Sequence, residues 1–128
     1  MIRRIEIVRA HINLVSPFRT SFATEVDRDL LYVHVVGDDE EGWGECVAMA
    51  APLYSSEYVD GCEEAMKRYL IKMVTPTTTA EEFVQKSSVI RGNFMAKAAI
   101  EAALLDYQLR KANMSLATFL GATQTKVA

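Results

Sequence analysis

Apolar and polar residues alternate over residues 2–15, IRRIEIVRAHINLV, with Ile5 and Ile7 on one side of the chain. That period of two predicts a long strand with one covered face. The alternation stops at Pro17. Residues 16–29 are mostly polar, with Phe18 and Phe22 as the two aromatics, which predicts a loop of about a dozen residues, a length more often functional than idle. Its phenylalanines either form a lid or tuck back onto the core. Two further apolar runs, 30–36 and 42–48, read as strands, and the glycines and acidic tip of the stretch between them suit a hairpin turn.

The period then lengthens. Ser55 or Ser56 can cap a helix running through Glu57, Val59, Cys62, Met66, Tyr69 and Leu70. Pro76 marks a short loop, and Thr79 with Glu82 has the spacing of a capping box for a helix to about Ile90. Residues 93–111 form the longest run without glycine or proline and the richest in alanine. Phe94, Ala98, Ala102, Leu105 and Leu109 recur at spacings of three and four, a stripe small enough to lie close against a sheet. Ser115 can cap a last turn through Leu120, with Gly121 where a helix end favours positive φ. Strands first and helices afterwards define an α+β fold: a three-stranded antiparallel meander followed by three to four helices on one face.

Composition narrows the function. The chain has 128 residues, half of them hydrophobic, with a net charge of -3. This is enough for one domain with a core, and it lacks the basic footprint of a nucleic-acid or anionic-membrane partner. No apolar run reaches membrane-spanning length, and the N-terminus has no apolar block followed by a cleavage site. Cys46 and Cys62 have no metal or redox spacing, so reduced thiols and a cytoplasmic setting are expected.

Candidates for chemistry are few. His11 and His34 are isolated and read as structural or solvent-facing. The four carboxylates of residues 38–41 lack the spacing of a calcium loop and read as a solvated turn. No nucleophile elbow or glycine-rich phosphate loop occurs. Glu101 and Asp106 point about 140° apart on a helix and are not an acid–base pair. Lys97 and Glu101 can pair along the helix surface, and Asp106, beside the apolar stripe, can bond a backbone group of a neighbouring element.

Three separated motifs, EGWGEC at 41–46, PLYSSEY at 52–58 and RGNFMAKAAIE at 91–101 continuing through Asp106 to Leu120-Gly121, resemble the N-terminal capping domain of the enolase superfamily. The similarity is greatest to the muconate lactonizing enzyme subgroup, and within it to o-succinylbenzoate synthases and N-acylamino acid (N-succinylamino acid) racemases. The segment PFRTSFAT at 17–24 is similar to a substrate loop of that group. The resemblance implies a cap over residues 1–122, with 123–128 leading into a (β/α) barrel that this chain does not contain.

It also implies chemistry in that barrel: a lysine removes the proton α to a carboxylate, and a divalent metal, usually Mg2+, holds the enolate. No lysine pair of that kind occurs here, so the resemblance places no catalytic and no metal-ligating residue in the cap. The cap's implied part is substrate choice, through Phe18, Arg19, Phe22, Met49 and Tyr54 around the substrate's variable side. Trp43 and Glu45 are implied in packing and barrel contacts. The implied partners are the chain's own barrel, a small carboxylate substrate and, at the level of assembly, further copies of the same chain. Dehydration in menaquinone biosynthesis and racemisation share one enolate intermediate and are equally implied. A free-standing α+β module that binds a partner or itself is the alternative. Asn113 stands where many relatives have glycine, and asparagine also tolerates positive φ.

Overall fold

The computed structural model describes residues 1–124 and 126. Three strands, β1 (Ile2–Arg19), β2 (Thr24–Gly37) and β3 (Glu41–Cys46), form an antiparallel sheet in the order β1-β2-β3. Four helices follow: α1 (Val59–Ala65), α2 (Ala80–Ser87), α3 (Phe94–Lys111) and α4 (Leu116–Phe119). The expected α+β meander is present. The lead into a barrel expected over 123–128 falls partly on residues 125, 127 and 128, which lie outside the described residues.

The period-2 pattern of β2 drives the core. Leu31, Val33 and Val35 are fully buried under the helices, while Tyr32 and His34 alternate onto the outer face. Gly42, Gly44 and Cys46 of β3 turn the same way as the core residues, and here the sheet is met by backbone. A Cβ on Gly44 would lie 2.0 Å from the Ala99 carbonyl oxygen, and one on Gly42 would lie 2.3 Å from that of Ala103. Only glycine admits the α3 backbone that closely, and the helix meets it through Ala99, Ala103 and the backbone of Tyr107.

That contact corrects the expected stripe. Phe94 is 72 % exposed, and Ala98 and Ala102 are exposed as well, leaving Leu109 as the stripe's buried member. The buried face of α3 is Ala96, Ala99, Ile100, Ala103, Leu104 and Tyr107. The glycines of β3 meet the helix at Ala99, Ala103 and Tyr107, which turns that row inward and the row through 94, 98 and 102 outward.

Two long-range carboxylates fix α3. Glu57 accepts the N–H groups of Phe94 and Met95 at 2.7 and 2.8 Å, capping a helix whose own Asn93 side chain makes no cap. Asp106 accepts the Trp43 N–H at 2.9 Å, the backbone bond expected of it. It also accepts from Arg110 Nε at 3.0 Å.

Several local expectations change. The loop expected over 16–29 is the end of a hairpin: β1 runs to Arg19 and β2 starts at Thr24, leaving a four-residue turn. The ladder carries the chain through the polar segment because backbone pairing does not require an apolar side chain. The third strand ends at Cys46 rather than residue 48. The helix expected from Ser55 or Ser56 begins at Val59, since the Ser55 hydroxyl is taken by the Glu57 N–H at 3.1 Å and closes a local turn. Beyond α1 the same rod widens into a π turn (Met66–Leu70) and tightens into a 3-10 turn (Ile71–Met73).

The Thr79–Glu82 capping box forms with both reciprocal bonds, and α2 ends at Ser87, short of Ile90. Lys97 donates to the Ile90 carbonyl at 2.5 Å instead of pairing with Glu101. Ser115 caps α4, and Asn113 and Gly121 take positive φ.

Candidate functional site

The site is built by an irregularity in the long hairpin. Register is regular from Arg4↔Val36 to Asn13↔Asp27 and resumes at Phe18↔Glu25, so residues 14–17 of β1 face only Val26 of β2. Extra residues on one strand raise its twist and re-aim the side chains beyond. In a flat strand Glu25 and Arg28 would point to opposite faces. Here they form an ion pair on the same side.

The turned tip closes one wall of a cavity of about 530 Å³, a volume in the range of small-molecule sites. The segment after β3 closes the other wall. Phe18, Phe22, Val47, Met49, Tyr54 and Met95 supply its apolar lining. Phe18, Phe22 and Tyr54 are 54 %, 49 % and 75 % exposed, so they stand outside the core and face the opening. Four of the five residues named from the sequence therefore come together. Arg19 does not, because it sits exposed at the end of β1, outside the lining.

Sequence reasoning missed the charged members of the wall: Glu25, Arg28 and Glu57. Their signal was weak, since each is an ordinary polar residue until the bulge and the helix cap place it. Glu57 is committed to α3, and the N–H of Val59 bonds the Met49 carbonyl at 2.9 Å, so Met49 is tied to the start of α1. Arg28 lies 5.8 Å over the Phe18 ring.

Below the bulge, Arg9 bridges the hairpin to α1, pairing with Asp29 at 3.0 Å, Asp60 at 2.6 Å and Glu63 at 3.3 Å. His11 bonds Asp29 at 2.8 Å. That bond, with the charges of Asp27 and Asp29, raises the His11 pKa, and Asp29 is held below the usual carboxylate range by His11 and Arg9. On the outer sheet face His34 lies between Glu6 (3.0 Å) and Glu41 (2.8 Å) and stacks on Trp43 at 3.8 Å. Both histidines thus have structural partners.

Cys46 and Cys62 are buried neighbours. A hydrogen bond from Cys62 brings the Cys46 thiol down to about 7, and the same contact pushes Cys62 up. Among the described residues no three His, Cys, Asp or Glu side chains are grouped as a metal ion requires. These residues supply no ligand set for magnesium, which the resemblance implies in the barrel and not in this domain. No helix among them is long and apolar enough to cross a membrane.

A three-stranded antiparallel meander with one helical layer, carrying an apolar pocket at its hairpin tip, defines a domain of the α+β class. The chain belongs to the mandelate racemase / muconate lactonizing enzyme family, whose N-terminal domain it matches over residues 2–121. It is 44 % identical over 125 residues to an N-succinylamino acid racemase from Amycolatopsis sp, covering 96 % of this chain and 34 % of that protein. It is 34 % identical over 133 residues to an o-succinylbenzoate synthase from Bacillus subtilis, covering 98 % of this chain and 35 % of that one. An enolase-superfamily structure from Listeria innocua superposes with a TM-score of 0.88 at 28 % identity, over 96 % of this chain and 34 % of that one. The curated relatives are enzymes, and the chain spans about a third of their length.

Proposed function

We propose that this domain is the substrate-selecting cap of a metal-dependent o-succinylbenzoate synthase or N-succinylamino acid racemase. Such an enzyme acts by removing the proton α to a substrate carboxylate. The observation that carries the reading is the cavity of about 530 Å³ in which Phe18, Phe22, Met49 and Tyr54 converge. Apolar walls of this kind hold the variable arm of a substrate and exclude water while a charged intermediate exists elsewhere. Residues 1–122 form the cap, and 123–128 lead into the barrel. The metal, magnesium by resemblance, and the catalytic lysines belong to that barrel, so the cap alone is inactive. Two buried free thiols fit a cytoplasmic setting.

The test is made in the full-length enzyme that carries this domain. Phe18→Ala and Tyr54→Ala are expected to shift the ratio of kcat/KM between N-succinyl and N-acetyl amino acids by roughly tenfold, the effect of about 1.4 kcal/mol of lost apolar contact. An unchanged ratio in both variants removes the pocket from substrate choice.

A further inference from the structure

We propose that Arg28 is a specificity residue of this pocket, reading an anionic group at the far end of the substrate's acyl arm. The inference rests on the cap reading above and goes beyond it by naming the residue and the chemistry it selects.

The argument begins with what each charged group on the wall has left to offer. Glu57 has both oxygens engaged by the Phe94 and Met95 N–H groups. Glu25 has one oxygen, Oε2, taken by Arg28, through Nε at 3.2 Å and through Nη2. Arg28 is the cation on the wall, and its guanidinium is used on one edge and one face only. The Nε edge goes to Glu25 and the face lies over Phe18. Its Nη1 edge has no hydrogen-bond partner among the described residues.

A guanidinium held in that way is preorganised. The two bonds to Glu25 hold its orientation, the Phe18 ring lies 5.8 Å from its central carbon, and the open edge presents parallel donors matched to a carboxylate. The Arg28 side chain is 30 % and the Glu25 side chain 15 % exposed, so the pair is partly withdrawn from water, which strengthens charge-assisted bonds. An arm that runs along Phe18, Phe22 and Met49 and ends in a carboxylate meets apolar contact along its length and this edge at its tip. Glu25 opposes such an anion, so it lowers the affinity while it orients the arginine. The two residues of one ion pair therefore act on the substrate with opposite signs.

That opposition separates recognition from scaffolding. The full-length enzyme is assayed on N-succinyl-phenylalanine and on N-butyryl-phenylalanine, whose arm carries a methyl group in place of the terminal carboxylate. Arg28→Met is expected to lower kcat/KM on the succinyl substrate roughly tenfold or more, as loss of one charge-assisted hydrogen bond does, with the butyryl substrate within about twofold. Arg28→Lys, which keeps the charge and loses the fork, recovers part of the preference. Glu25→Gln shifts the ratio toward the succinyl substrate.

The proposal is overturned if Arg28→Met leaves the ratio unchanged, or if Arg28→Met and Glu25→Gln lower both substrates together, which is the signature of a pair that only holds the hairpin. An unchanged ratio in Arg28→Met with a shifted one in Phe18→Ala overturns the Arg28 assignment and keeps the pocket. Unchanged ratios in Arg28→Met, Phe18→Ala and Tyr54→Ala overturn both.

Discussion

The Glu57 carboxylate sits 2.7 Å from the backbone nitrogen of Phe94, capping the longest helix from a residue thirty-seven positions earlier in the chain. The same residue lines the pocket, so one side chain ties the segment carrying Met49 and Tyr54 to the start of α3. Glu57→Ala leaves two helix-terminal N–H groups without their acceptor. It is expected to lower stability by about 1–2 kcal/mol, measured as the shift in denaturant midpoint at unchanged slope. Glu57→Gln, which keeps one good acceptor, recovers part of that loss.

The close approach of Gly44 to Ala99 sets a second expectation. Ala99→Leu or Gly44→Ala forces α3 away from β3 and costs about 3 kcal/mol or more, because backbone rather than a movable side chain lies in the way. Ala98→Leu, one position round the helix on an exposed face, stays within about 0.5 kcal/mol. Thermal unfolding of the two leucine variants distinguishes the observed face of α3 from the stripe at 94, 98 and 102.

Protonation of His11 tunes the base of the hairpin. Its folded pKa is raised, chiefly by the hydrogen bond to Asp29. The contact therefore adds stability below the ordinary histidine value of about 6.5 and loses it as pH rises through the higher folded value. Asp29, with its pKa depressed by His11 and then Arg9, contributes above the ordinary aspartate value of about 3.9 and loses that contribution as pH falls through the depressed one. The difference in melting temperature between the parent and His11→Asn is expected to be largest near about pH 5 and to shrink by about pH 9.

Two effects compete at Cys46. A thiol near 7 favours thiolate chemistry, and full burial denies reagents access. Burial wins: an aromatic disulfide reagent is expected to leave Cys46 and Cys62 unmodified in the native protein and to label both in denaturant. Rapid labelling of either in the native state contradicts the burial of Cys46 against Cys62.

The sheet, the capping box, the Ser115 cap and the helix of residues 93–111 are legible in the sequence because each rests on contacts between near neighbours or on a simple period. The rotation of α3 is not, because several alanine rows satisfy the same spacing and the choice among them is made by Gly42 and Gly44, far away in the chain. Phe18, Phe22, Met49 and Tyr54 are legible as site candidates through family resemblance and as isolated apolar residues in polar or irregular segments. Arg28 and Glu25 are not, since a plain strand puts i and i+3 on opposite faces and only the mismatch between residues 14–17 and Val26 brings them together.

That mismatch makes the hairpin a lever with a fulcrum. Below it, the ladder and the Arg9 clamp fix the handle to α1. Above it, the tip carries Phe18, Phe22 and Glu25, while Arg28, paired with Ile12, stays on the handle and meets the tip through its ion pair with Glu25. Adding or removing a residue among positions 14–17 changes the angle of the lever arm while every paired residue beneath keeps its register. The reach of the pocket wall over a substrate is thus adjustable by length alone, without touching the backbone contact that holds sheet and helix together.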